Sequence, residues 1–483
     1  MSAVLDEDDD EGGMTPRQMR VTALIVATAL FMQNLDGTIV ATALPAMAKS
    51  FHADPIHMSL ALTSYLLSLA VFIPASGWFA DRFGSRTVFR AAIIIFTIGS
   101  ILCGFSASLG ELIGARILQG VGGAMMVPVG RLLLLKSVRR RDMVAATSWL
   151  TMPALIGPVV GPPLGGLLVT YASWRWTFDI NVPIGVIGVV AVTFFVAEVK
   201  DAEHAGRLDL SGLVYSGLAM ALLMIGIETV GRGIIPLRWS LAAFGLGIAA
   251  TILYIRHARR HPHPVLDLSL MRISTFANST IAGSFFRVLA GAVPFLLPLM
   301  LQLGFGESAA KSGTVTFMAA IGALAMKPLA QPLLRRFGFR DAMIWIGLLS
   351  VLFTAICAAF RPGWPIVALD AVLLVGGVFR SLQFTAFNTI AYADVPRSRM
   401  SAATSFYATF QQITITLGIS VSAGCLEVAT ALSGHARPTM DDYAWAFLIV
   451  SAIGLISVPV CARLDREAGA LLSGHHAEHP ASH

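Results

Sequence analysis

The chain has 483 residues, 56% hydrophobic and only 13% charged, with a formal net charge of +6. A soluble domain carries about a quarter charged residues, and here the basic residues sit in short loops between apolar runs, so an ordinary soluble enzyme and a nucleic-acid binder are both excluded. Apolar runs of about 20 residues, long enough to cross a bilayer, recur down the chain and mark an integral membrane protein.

The start, Met1 to Gly13, is acidic and lacks the basic segment of a cleavable signal peptide, so the first apolar run is expected to remain as a membrane helix. Fourteen spans are predicted, near 20–46, 57–80, 88–107, 110–136, 143–170 and 177–198, then 210–230 and 239–256, then 275–303, 310–334, 341–360, 364–388, 400–430 and 442–462. The expected fold is an all-α membrane protein of two six-helix bundles, 20–198 and 274–462, with two helices inserted in a linker at 199–273. An acidic tail at 1–19 and a His-rich tail at 463–483 flank them. The tail histidines (His475, His476, His479, His483) read as solvated chain rather than a metal site. Cys103, Cys357, Cys425 and Cys461 lack metal-site spacing and read as buried thiols. Loops on the side of the termini, with Arg82, Arg86, Arg139, Arg140, Arg141, Arg335 and Arg336, hold roughly twice the basic residues of the opposite loops, which predicts cytoplasmic termini.

Ionisable groups inside spans need a partner or a watery cavity. Asp36 lies about eight residues from the outer end of span 1, roughly 12 Å deep. Arg116 enters span 4 to a comparable depth. A cavity carboxylate beside an arginine suits a proton-loading site; the alternative is a static ion pair holding span 1 to span 4. Gln33 and Gln119 are further polar candidates for the cavity. In span 5, Gly157, Gly161 and Gly165, with Gly166 beside them, make a bare face for backbone-close helix packing, and Pro158, Pro162 and Pro163 bend the helix. The loop Gly77–Arg86 joins spans 2 and 3. Its Gly84 permits a tight turn, and Asp81, Arg82 and Arg86 are placed to meet helix ends.

That loop is written twice. Asp81-Arg82-Phe83-Gly84-Ser85-Arg86 returns as Arg335-Arg336-Phe337-Gly338-Phe339-Arg340, an offset of 254 residues (335 minus 81). The same offset carries Gly122-Gly123 onto Gly376-Gly377 and Arg116 onto Asp370, which argues for two related bundles and an alternating-access transporter.

With these motifs in order, the chain resembles the major facilitator superfamily over almost its full length. The likeness is to the fourteen-span drug:proton antiporters of the EmrB/QacA type, and among them to MdtD-like and HsrA-like exporters. Gly77, Asp81, Arg82, Gly84 and Arg86 match the cytoplasmic-loop motif, with Ser85 where a basic residue is common. Arg116 to Gly123 resembles the span-4 motif, Gly157 to Gly166 the antiporter motif and Trp174 to Gly185 the stretch leading into span 6. The resemblance implies proton-coupled export of lipophilic or amphipathic small molecules by a bacterial inner-membrane protein that needs no cofactor beyond the proton and works as a monomer in the lipid bilayer. The loop motif would latch the two halves in the outward-facing state, and a central cavity would be lined mainly by spans 1, 4, 9 and 12 with their neighbours.

In the second half, Arg287 stands one turn before the position equivalent to Asp36, and Asp370 stands at the equivalent of Arg116. With the charges swapped in this way, Arg287 and Asp370 are expected to approach within water-bridging reach, the alternative being that each separately satisfies backbone groups or cavity water. Lys327 and Arg380 are further cavity candidates, with snorkelling as the alternative. Glu228 and Glu427 are expected at the membrane interface. Counted together, these groups leave the cavity net basic, which keeps open an exporter of endogenous metabolites such as organic acids or sugars. A non-transporting sensor or scaffold is the remaining alternative. No P-loop, metal cluster or nucleophile motif supports an enzyme.

Overall fold

The computed structural model describes residues 16–137, 143–198, 209–229, 236–262, 264–396, 399–435 and 437–469. Most of the acidic start, Arg139 to Arg141 and the His-rich tail lie outside the described residues, as do the side chains of Asp81 and Pro158. No strand occurs among the described residues. The first half comprises α1 (Pro16–Phe51), α2 (Ser59–Phe72), α3 (Ser76–Phe83), α4 (Ser85–Phe105), α5 (Leu109–Ser137), α6 (Met143–Tyr171), the single turn α7 (Trp176–Asp179) and α8 (Asn181–Phe195). The inserted hairpin is α9 (Leu210–Thr229) and α10 (Leu237–Ala258). The second half comprises α11 (Ser274–Leu299), α12 (Ala309–Ala325), α13 (Lys327–Ile356), α14 (Ile366–Ile390), α15 (Met400–Ser433), α16 (Met440–Leu455) and α17 (Ser457–Cys461).

Among the described residues, twelve helices are long and apolar enough to cross a membrane, so the count of fourteen is not established by that measure. The other two predicted spans fall on α6, a 29-residue helix whose described apolar stretch is Val159–Tyr171, and on α12, Ala309–Ala325, which ends at the break at Met326.

The 254-residue repeat is visible in the backbone. Between α2 and α3 the helix breaks at Ile73–Ala75, which contains Pro74; between α12 and α13 it breaks at Met326, two residues before Pro328. Pro74 and Pro328 are 254 apart (328 minus 74). Ten residues further on, Gly84 (φ 93°) and Gly338 (φ 71°) turn the chain in a region that side chains with a Cβ rarely adopt. A Cβ at Gly84 would also stand 2.4 Å from Oε1 of Glu198.

Lipid tails are as apolar as leucine, so close packing rather than burial from water joins these helices. One apolar cluster straddles both halves at the end away from the termini, uniting Leu44, Met47 and Met58 with Leu296, Met300 and Phe447. At the end that carries the termini each half keeps its own cluster, one around Val26, Phe89 and Leu133 and one around Phe286, Met326 and Phe387. The halves share a core at one end and keep separate cores at the other, where α15 still meets the first half at the break Ile73–Ala75.

Helix α6 makes the junction with two different faces. Gly157, Gly161 and Gly165 lie against α1: a Cβ on Gly165 would fall 2.4 Å from Oγ1 of Thr42 and 2.6 Å from the Ile39 carbonyl. Gly166 and Pro162 lie against α12, where a Cβ on Gly166 would meet the Ala309 carbonyl at 2.4 Å and one on Gly313 the Pro162 carbonyl at 2.3 Å. Gln302 adds a hydrogen bond to the Thr42 carbonyl at 3.1 Å, and the Ala310 N–H donates to Thr170 at 2.9 Å.

The hairpin α9–α10 is pinned by Asp209. Its carboxylate accepts from the Gly212 N–H at 2.8 Å, the Val265 N–H at 3.3 Å and the Ser211 hydroxyl at 3.3 Å, and meets His257 Nε2 at 2.7 Å. Burial acts to raise this carboxyl, but the Gly212 and His257 contacts outweigh it and hold it below the usual carboxylate range. Glu228, expected at the interface, is instead buried where α9 packs on α15 and accepts from Ser420, because the hairpin covers that face of the second half. Glu427 keeps 23% side-chain exposure beside His57.

Two outcomes follow from these contacts. Because folding lowers its pKa, the carboxylate of Asp209 stabilises above the ordinary carboxylate pKa and that contribution is lost as pH falls below about 4. Asp209→Asn should cost about 1–3 kcal/mol locally, read as faster proteolysis of the hairpin at neutral pH and a smaller further loss on acidification than in the parent. Gly313→Leu overpacks the joined end by about 1–3 kcal/mol, roughly five- to 150-fold in a two-state balance. An introduced Gln302→Cys should then be labelled faster by an impermeant maleimide; an unchanged rate would count against the junction.

Candidate functional site

Asp36 is held on α1 in the apolar interior of the first half, and Arg116 reaches it from α5. Arg116 Nη1 donates to Asp36 Oδ2 at 2.6 Å, and both side chains are 0% exposed. A bare ion pair at such a position would be strongly penalised by desolvation, and the surrounding residues supply the missing hydrogen bonds. Gln119, one turn beyond Arg116 on the same face of α5, donates from Nε2 to Asp36 Oδ1 at 2.9 Å and accepts from Arg116 Nη1 at 2.7 Å. Asn181 at the start of α8 donates to Asp36 Oδ1 at 3.1 Å and to Ser100 Oγ at 3.0 Å. Ser100 on α4 donates in turn to the Phe178 carbonyl at 2.9 Å. Arg116 Nε donates to the Ala61 carbonyl of α2 at 2.9 Å, and its guanidinium lies 4.1 Å from the centre of the Tyr65 ring.

The carboxylate therefore accepts three hydrogen bonds, an arrangement that fits its ionised form. Five helices meet there. Of these residues the sequence singled out Asp36, Arg116 and Gln119. Ser100, Tyr65 and Asn181 were not singled out, although each is a polar residue within or at the start of an apolar run, and Asn181 is delivered by the turn α7 that precedes it.

The cavity lies elsewhere. A space of about 480 Å³ opens between the halves, walled by α1, α6, α11, α12, the first turn of α13 and α14. Thr38, Thr42 and Pro162 face it from the first half, and Phe286, Leu297, Lys327, Arg380 and Phe384 from the second. Of the expected spans, 1, 9 and 12 line this space as α1, α11 and α14, with α6 and α12 beside them, whereas span 4 does not: α5 turns its polar face inward to Asp36. Gln33, Gln119, Arg287 and Asp370 do not line the cavity, whereas Lys327 and Arg380 do. Gln33 is buried within the first half.

Arg287 and Asp370 form no ion pair or hydrogen bond with each other. Arg287 follows Phe286, and consecutive helical residues diverge by about 100°, so with Phe286 on the cavity Arg287 turns to α15. There it donates to the Tyr407 hydroxyl at 2.5 Å, and Tyr407 also shares a 2.9 Å hydrogen bond with Ser279. Asp370 is half-buried on α14.

In the loop motif, Gly77 belongs to α3, Arg82 is exposed and Gly84 makes the turn. Arg86 donates from Nη2 to the Thr193 carbonyl at 2.6 Å, while its N–H and the Thr87 hydroxyl bind the Glu198 carboxylate at 3.0 and 2.6 Å. All of these partners lie in the first half. The antiporter-helix residues Gly157, Gly161, Pro162, Gly165 and Gly166 occupy the two packed faces of α6 already described.

Known proteins agree with this architecture. The family model of the Major Facilitator Superfamily matches residues 26–419 and 280–481. A multidrug resistance protein MdtD of Citrobacter koseri is 39% identical over 441 residues, covering 89% of this chain and 92% of its own length. An Escherichia fergusonii protein of the same name is 40% identical over 458 residues, covering 94% and 96%. Among solved structures, a D-xylose-proton symporter superposes with a TM-score of 0.67 at 13% identity, covering 93% of this chain and 98% of its own. An auto-inhibited POT family peptide transporter gives 0.69 at 16% identity, covering 93% and 98%. Matched by the family model over most of its length and by relatives at about 40% identity, this multi-pass membrane chain belongs to the major facilitator superfamily and is a transporter rather than an enzyme.

Proposed function

We propose that the protein is a proton-coupled multidrug exporter that works by alternating access, with both termini in the cytoplasm of a bacterial cell and the chain in its inner membrane as a monomer. One observation carries this reading: a cavity between the halves, sealed at one end, stands beside but apart from a buried Asp36–Arg116 pair. The relatives named for multidrug resistance support the cargo class. With cytoplasmic termini the joined end faces outward, so the arrangement is inward-facing. The Arg86 contacts within the first half suit a latch that engages the second half only in the outward-facing state.

The coupling step follows from the hydrogen bonds. Ionised Asp36 satisfies Arg116, Gln119 and Asn181 together. A proton on Asp36 removes the counter-charge of a desolvated arginine, a state costly enough to force the pair apart. Asp36 shares α1 with Thr38 and Thr42, which face the cavity, and with Ile39, which lies against Gly165 of α6. Opening the pair therefore moves the helix that contacts both the cargo space and the junction between halves. A proton taken up by Asp36 from outside in the outward-facing state drives the return to the inward-facing state, where its release to the cytoplasm restores the pair.

In proteoliposomes, Asp36→Asn should abolish proton-gradient-driven export while equilibrium counterflow of the same compound persists. Retention of gradient-driven export would remove Asp36 from the coupling step. Because Asp36→Asn leaves Arg116 uncompensated, it should cost about 3–5 kcal/mol of stability. The double variant Asp36→Asn/Arg116→Gln should regain much of the melting temperature without regaining coupling.

A further inference from the structure

The cavity wall has an unbalanced charge. Its two ionisable residues, Lys327 and Arg380, are both cationic, and no Asp or Glu lines it. Arg380 is half-buried on α14, yet its guanidinium makes no hydrogen bond or ion pair among the described residues. The Lys327 ammonium reaches only the Thr385 hydroxyl, at 3.3 Å. A third cation stands behind the wall: Arg287 is 1% exposed, lies 5.8 Å from the ring centre of the cavity residue Phe384, and leaves Nε and Nη1 without hydrogen-bond partners. No carboxylate pairs with any of the three among the described residues. Apolar walls of low dielectric strengthen the field of such charges within the space they enclose.

We propose that this cavity selects organic anions. An apolar body would lie on Phe286, Val293, Leu297 and Phe384, and a carboxylate, sulfonate or phosphate group would be held by the planar fork of Arg380 and the point charge of Lys327. The inference rests on the exporter reading of the same cavity but concerns binding alone. The volume of about 480 Å³ lies within the range typical of small-molecule sites.

The test is titration calorimetry of the full chain in lipid nanodiscs, without any gradient, using 2-naphthalenesulfonate and 2-naphthyltrimethylammonium as probes of matched apolar body. The sulfonate should bind at least about tenfold more tightly. Arg380→Gln should remove most of that preference, Arg380→Lys should keep part of it, and Lys327→Glu, at an exposed position that leaves folding intact, should reverse it. Equal affinities in the parent, or an unchanged preference in Lys327→Glu and Arg380→Gln, would overturn the proposal. The same probes loaded into proteoliposomes separate the two readings. Binding with anion preference but no export would refute the exporter and leave the anion site standing; export without charge preference would do the opposite.

Discussion

The first half is organised by one buried ion pair. Asp36 and Arg116 are sealed from solvent at 2.6 Å, and neither charge is tolerable there without the other. Such a pair contributes little net stability against an apolar replacement, and its value lies in the geometry it imposes. Through Gln119, Asn181, Ser100, Tyr65 and the Ala61 carbonyl it fixes the relative positions of α1, α2, α4, α5 and α8. In a bilayer, where apolar contact alone gives no preference between helix and lipid, a polar node of this kind sets which helices are neighbours.

From that node the path to the second half runs along α1 and across α6. The glycines of α6 contribute no side chain of their own where it meets Thr38, Ile39 and Thr42 of α1, and Gly166 with Gly313 brings backbone onto backbone towards α12. Helices this close leave little slack to absorb a displacement. The weight of small residues at the junction, and the separate clusters at the opposite end, suit the proposed rocking of the halves about one edge.

Much of this was legible in the sequence. The repeated loop disclosed the two halves, and its glycine reappears as the positive-φ turn at both Gly84 and Gly338. Asp36 and Arg116 were recognisable because charge is rare inside a span, and their equal depth made pairing natural. Neighbours such as Ser100, which hydrogen-bonds, and Tyr65, which offers its ring face to Arg116, were not recognisable, since a serine or tyrosine in an apolar helix has many uses and only the rotation of the helix reveals which. Helix rotation also misled the reading of the second half. The offset placed Arg287 one turn from the equivalent of the first-half carboxylate, but beside the cavity residue Phe286 the helix turns Arg287 away to Tyr407. The burial of Glu228 depended on where the inserted hairpin docks, which no local pattern encodes.

The separation of the Asp36–Arg116 pair from the cavity wall has an energetic consequence for the whole cycle. Where proton and cargo share one carboxylate, each displaces the other and their charges offset. In the proposed cycle Asp36 takes the proton and Arg380 and Lys327 hold the cargo, so the charge of the cargo would be carried in addition to that of the proton. An anion leaving as a proton enters moves two elementary charges in the same electrical sense. Across an interior-negative membrane of 100 mV this is worth about 4.6 kcal/mol per exchange, at about 2.3 kcal/mol per charge. Such a cycle runs on voltage even where the two sides have equal pH.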